Sequence, residues 1–93
     1  GQVGDMILEP KLLKEQFDEE KKASLTLQFA DKNWKITYLN REEKDYGEYQ
    51  IADVTVDGEK INFVPKQHEA ILPKNMIEKL SGNETHQIEV VLA

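Results

Sequence analysis

The sequence predicts a β-dominated α+β domain, a small barrel or strongly bent antiparallel sheet carrying two short helices related by a pseudo-twofold axis. Three observations predict it. Two neighbouring stretches alternate apolar and polar residues with period two, an Asp-Gly pair separates two further strand-like runs, and a strand-proline-helix-strand pattern occurs near both ends. Ninety-three residues support one modest core, so the expected organisation is a single domain over 1–93.

The elements follow in order. Residues 2–8, QVGDMIL, read as a short strand ending near Glu9, because the residue before Pro10 is pushed towards extended geometry. Pro10 suits a first helical turn, and Leu12, Leu13 and Phe17 then fall on one side, which predicts a helix over 10–17. In SLTLQFA, Leu25, Leu27 and Phe29 alternate with Ser24, Thr26 and Gln28; in NWKITYL, Trp34, Ile36 and Tyr38 do the same. The polar residues Asp31, Lys32 and Asn33 between them predict a hairpin over 24–39 with one buried face. Trp34 is in phase with Ile36 and Tyr38, so it is expected to pack in the core or at a barrel end rather than to stack on a ligand.

Residues 40–48 form a charge-dense loop. A second hairpin is expected over 49–64, where YQIADVTV and INFV bracket Asp57-Gly58-Glu59-Lys60. PKQHE should break it. The strand AIL then meets Pro73 and a helix PKNMIEKL, which Ser81-Gly82-Asn83 should stop before a last strand carrying Ile88, Val90 and Leu92. The match of Asn83-Glu84-Thr85 to a glycosylation acceptor is read as turn chemistry.

Placing Pro10 over Pro73 aligns Ile7–Ala30 with Ala70–Ala93 without a gap. Lys11 then lies over Lys74, Leu13 over Met76, Glu15 over Glu78 and Phe17 over Leu80. Leu25, Leu27 and Phe29 lie over Ile88, Val90 and Leu92, so the sequence predicts a duplicated unit framing the second hairpin.

These half-motifs, ILPKNMIEKL with HQIEVVL and ILEPKLLKEQF with ASLTLQFADKNWKITYL, resemble those of the AbrB, SpoVT and MraZ class of cradle-loop barrels. The resemblance covers about 6–39 and 69–93. It implies a small interleaved barrel. The class usually has an arginine-bearing basic strand before the Pro-Lys step and a Gly-Asp before the last strand. Here QVGDM and KQHEA, and KKA and ETH, stand at those places. The resemblance therefore implies the architecture rather than DNA binding. A duplicated unit within one chain leads to the expectation of a monomer.

Composition narrows the function classes. The formal net charge is −6 and Arg41 is the sole arginine, which disfavours a nucleic-acid interface. No apolar run reaches the length of a membrane span, so no membrane partner is expected. The chain has no cysteine, which removes disulfides and thiolate zinc sites and leaves the compartment open. A cytoplasmic location is slightly favoured over an exported domain with a removed signal. Gly1 at the start reads as a processed end or a tag remnant.

No catalytic, metal or cofactor site is expected. His68 and His86 have no ligand spacing and are expected on the surface. Ser24 and Ser81 lack a nucleophile context, and each candidate phosphate loop holds a lone glycine. Glu42, Glu43, Asp45 and Glu48 share one hydrophilic loop, where solvated carboxylates are expected rather than an acid–base pair or an EF-hand. The candidate binding residues are Arg41, Tyr46 and Tyr49, because tyrosine with arginine is the mix enriched at interaction hot spots. The expected function is a non-enzymatic module that binds a protein or peptide through the 40–49 loop or an exposed strand edge. The alternatives are an AbrB-like DNA-binding regulator or antitoxin-like protein, and a small ligand-binding domain.

Overall fold

The computed structural model describes residues 4–66 and 68–93; the expected start of the first strand at Gln2 and Val3 lies outside them. The elements are β1 (Met6–Leu8), a 3-10 turn at Lys14–Gln16, β2 (Lys22–Phe29), β3 (Lys32–Leu39), β4 (Ile51–Val56), β5 (Glu59–Lys60), β6 (Val64–Lys66), β7 (Glu69–Leu72), α1 (Lys74–Glu78) and β8 (Thr85–Leu92). They form two open sheets rather than a closed barrel. The larger has the order β2-β3-β8-β4-β5 and the smaller β1-β7-β6.

Alternation places the core between the sheets. Along β8, His86, Ile88, Val90 and Leu92 are buried while Thr85, Gln87 and Glu89 are exposed. β3 lies parallel to β8 with Ile36 opposite Ile88 and Tyr38 opposite Val90, so inward residues meet in pairs. Trp34 is fully buried, as its phase in the sequence predicts. Met6, Leu8, Ala70 and Leu72 from the small sheet, with Ile77 from α1, complete the same core. Apart from Ala70, each of these side chains contributes about 1.5–3 kcal/mol by leaving water.

The hairpin β2–β3 forms as expected, but its turn is Ala30-Asp31, both with positive φ (55° and 58°), while Lys32 and Asn33 belong to β3. Two consecutive left-handed residues make the turn whose twist matches a tight hairpin. Asp57-Gly58 closes β4–β5 in the same manner (φ 50° and 84°). The return arm is only Glu59–Lys60, however. Of the expected partner INFV, only the Ile61 N–H still bonds β4, at the Val54 carbonyl (3.0 Å), and Val64–Lys66 pairs instead with Glu69–Leu72 in the small sheet. Of the expected break PKQHE, Pro65, Lys66 and Glu69 thus lie within strands of the small sheet, while Gln67 lies outside the described residues.

One α-helix is present among the described residues, at the second of the two expected places. α1 follows Pro73, whose C=O accepts the N–H of Met76 and Ile77; Asp5 Oδ1 receives the Lys74 N–H at 2.8 Å from the start of β1. The expected helix over 10–17 is replaced by an extended segment with one 3-10 turn. The reason is tertiary. The Leu12 N–H donates to the Tyr49 hydroxyl (2.8 Å) and the Lys14 N–H to Asp45 Oδ1 (3.0 Å), so the 45–49 segment takes donors from this segment. Two short turns of helix cannot outbid such bonds without a packed apolar stripe.

The duplication shrinks to one strand pair. β1 and β7 are antiparallel about Ile7 opposite Ile71, with Met6 opposite Leu72 and Leu8 opposite Ala70, a local twofold. Its equivalent dipeptides are Ile7-Leu8 and Ile71-Leu72, so Glu9 is an extra residue before Pro10 that the gapless alignment did not allow for. That alignment set exposed Ile7 against buried Ala70. Beyond the pair the units part: one continues into a 3-10 turn and terminal strand β2, the other into α1 and central strand β8.

Candidate functional site

β2, an eight-residue strand, lies at the end of the larger sheet. β2 bonds β3 on one side only. The two-residue turn makes Phe29 and Lys32 a hydrogen-bonded pair, and alternation assigns Leu27, Leu25 and Ala23 the same role. The N–H and C=O of Ser24, Thr26 and Gln28 therefore point outward. Lys22 would continue the row, but its N–H donates to Asp18 Oδ1 (2.9 Å) and its C=O accepts the Asp18 N–H (2.8 Å). The open edge thus runs from Ser24 to Gln28, and no backbone bond among the described residues outside the ladders reaches it.

The other edges are blunted. β5 has two residues, both charged, β6 carries Pro65 and Lys66, and β1 has three residues between Asp5 and Glu9. Charge, proline and shortness are the usual defences of a terminal strand. β2 has none of them from Ala23 to Ala30. Its inward face is also incompletely covered: Leu27 and Phe29 pack partly on the core, while Leu25 is 42% exposed, which corrects the expectation that all three are buried alike. On the outward face the Ser24 and Thr37 hydroxyls are 2.8 Å apart, and the Gln28 amide donates to Asn33 Oδ1 (3.2 Å), which holds these side chains flat against β3.

The three sequence-predicted binding residues do not form one surface. Arg41 and Tyr46 are exposed, but Tyr49 is buried. The Tyr49 hydroxyl donates to the Leu12 carbonyl (2.7 Å) and accepts from the Leu12 amide. Burial raises its pKa, so it stays a neutral donor. Burial also pushes the Tyr38 phenol up to about 12, with the nearby Tyr49 adding to it. The loop is more organised than its charge suggests. The buried Asn40 amide bonds the Lys44 N–H (3.1 Å) and C=O (2.8 Å), and Asp45 accepts the amides of Lys14 and Tyr46, which lowers its pKa. Lys21 hydrogen-bonds Glu43 at 2.9 Å and lowers that carboxyl's pKa.

His86 is the residue that sequence reasoning misplaced. It is buried, whereas His68 is exposed as expected. Its Nδ1 lies 2.7 Å from Asp57 Oδ2, its Nε2 donates to the Ser81 carbonyl, and its ring tilts over Trp34 with centroids 5.1 Å apart. A carboxylate and a carbonyl only accept, so the form that satisfies both contacts is the protonated imidazole, with hydrogen on both ring nitrogens, lying over the indole. Burial opposes that charge, but the bonds to Asp57 and Ser81 prevail and the His86 pKa is raised. Asp57 also loses hydration, yet the Gln87 N–H (2.8 Å) and His86 hold its pKa down. The signal available in the sequence was phase: His86 alternates with Ile88, Val90 and Leu92.

Among the described residues no cluster of three His, Cys, Asp or Glu side chains is placed to hold a metal ion, and no helix is long and apolar enough to cross a membrane. No protein-family model matches the chain, and no curated protein matches it.

Proposed function

We propose that this domain is a non-enzymatic interaction module that takes up an extended protein segment as an added strand on the β2 edge. The supporting observation is the row of outward N–H and C=O groups at Ser24, Thr26 and Gln28 on a strand that is free of charge and proline from Ala23 to Phe29. Strand addition draws affinity from main-chain hydrogen bonds and specificity from alternate side chains. The flat polar row on one face and the partly bare Leu25 on the other supply both.

The His86–Asp57 pair superficially suggests acid–base chemistry. Its Nε2 is spent on the Ser81 carbonyl, and a cationic imidazole has no lone pair with which to take a proton from a nucleophile. The pair supports the reading of a structural clamp.

Amide hydrogen exchange tests the proposal with an alternating threonine–valine peptide as probe. Slower exchange at Ser24, Thr26 and Gln28, with Arg41 and Tyr46 unchanged, is the expected result. Protection of the 40–49 loop alone, or none at all in a chain whose three amides exchange freely without the peptide, would overturn it. A duplex titration checks the regulator-like alternative: binding that weakens steeply with salt would replace the strand-addition reading.

A further inference from the structure

We infer that the strand added to the β2 edge is β2 of a second copy of this chain, paired antiparallel about a twofold axis through Thr26. The inference rests on the strand-addition reading and identifies its partner.

The edge is self-complementary. Ser24-Leu25-Thr26-Leu27-Gln28 is close to a palindrome in chemical character, polar-Leu-Thr-Leu-polar. Antiparallel pairing of two such strands can join outward residues only to outward residues. Thr26 then faces Thr26, and Ser24 faces Gln28, each as a hydrogen-bonded pair. On the inward face Leu25 meets the other copy's Leu27, and Ala23 meets its Phe29, a small residue against a large one.

The pairing would cover what the single chain leaves bare. Leu25 is 42% exposed at the margin of the core, and an adjoining strand carrying Leu27 at that position closes over it. The five-stranded sheets of the two copies become one continuous sheet.

Charge favours this partner over an arbitrary strand. No charged residue falls within the paired segment, although the chain as a whole is 32% charged. At its ends, antiparallel direction sets Lys22 of one copy beside the turn bearing Asp31 of the other, while Lys21 keeps its own bond to Glu43. A parallel arrangement would set like ends together. The Asp18 bonds to Lys22 limit the open edge to the palindromic segment and thereby fix the register.

The test uses the twofold axis. Sedimentation equilibrium of the unaltered chain over rising concentration should give a mass that doubles, with amide exchange at Ser24, Thr26 and Gln28 slowing in step. Thr26→Lys and Thr26→Glu each set like charges face to face across the axis, so each variant alone should stay monomeric where the unaltered chain is dimeric. Their equimolar mixture should regain the doubled mass. Thr26 is exposed on a terminal strand, so both variants should fold, and thermal melts check that they do.

Three outcomes would overturn the inference: a chain that stays monomeric throughout, a dimer indifferent to both substitutions, or a mixture that fails to reassociate. An indifferent dimer would direct attention to the aliphatic row on the small sheet, where exposed Ile7 and Val64 flank half-buried Ile71. If the chain is monomeric yet the threonine–valine peptide still protects the same three amides, self-pairing fails and strand addition stands. If neither occurs, both fail.

Discussion

The His86 imidazole and the Asp57 carboxylate, 2.7 Å apart, tie the start of β8 to the turn between β4 and β5. The same turn receives the Gln87 N–H on Asp57 Oδ1 and gives the Asp57 N–H to the Gln87 carbonyl, both at 2.8 Å. With Ser81 on its other nitrogen and Trp34 beneath it, His86 fastens the helix–strand connection and β3 as well. Its charged surroundings are Asp57 and the nearby Glu84.

Stability should therefore depend on pH in a defined direction. His86 is raised above 6.5, so the folded state holds its proton more tightly than the unfolded state does. Its contribution is complete below 6.5 and is lost as pH rises through the raised value. Asp57 is lowered below 3.8, so its contribution is complete above 3.8 and is lost as pH falls through the lowered value. Thermal melts should thus be flat between about 4 and 6.5 and decline at higher pH. His86→Gln should lower stability by about 2–3 kcal/mol near neutral pH and flatten the alkaline decline. An unchanged decline in that variant would assign it to another group.

Tyr49→Phe removes a hydroxyl that satisfies both backbone groups of Leu12. The expected cost is about 1–3 kcal/mol by denaturant unfolding, since the partners remain half-buried. Faster exchange of the Leu12 amide should accompany it. A neutral result would mean that water replaces the phenol there.

Asp5→Ala removes the acceptor of the Lys74 amide at the first turn of α1. The loss should be about 1 kcal/mol, the scale of an N-terminal cap, although the acceptor comes from a distant part of the sequence. Amide exchange at Lys74 and Asn75 should rise more than exchange in β8.

Ala30 and Asp31 hold left-handed backbone without being glycine. Ala30→Asn combined with Asp31→Gly supplies the preferred pair for this turn and should stabilise the chain by about 1 kcal/mol. For a domain of this size that corresponds to a rise of about 4–8 °C in Tm. No rise would mean that the hairpin's strain is relieved elsewhere.

Much of the fold was legible because it rests on local pattern. Period-two alternation located β3 and β8 and put Trp34, Ile36, Tyr38, Ile88, Val90 and Leu92 inside. The Asp57-Gly58 turn and the start of α1 after Pro73 were equally local matters. The candidate site was partly legible: the segment SLTLQFA read as a strand, and a strand edge was among the expected binding surfaces. Its terminal position was not, because neighbour order in a sheet depends on contacts far apart in sequence.

The same limit explains the misplacements. Residues 10–17 have helical spacing, but Tyr49 and Asp45 reach back to claim their amides. Tyr49 reads as a surface aromatic until that loop closes over Leu12. His86 reads as a surface histidine until the β4–β5 turn and Ser81 supply two acceptors for its protons. By itself the sequence determined the alternating strands, their apolar faces and where tight turns fall, since these follow from backbone preference and side-chain periodicity. Tertiary structure alone decided strand order, the fate of the first expected helix and which edge stays open, because each depends on hydrogen-bond partners supplied by distant residues.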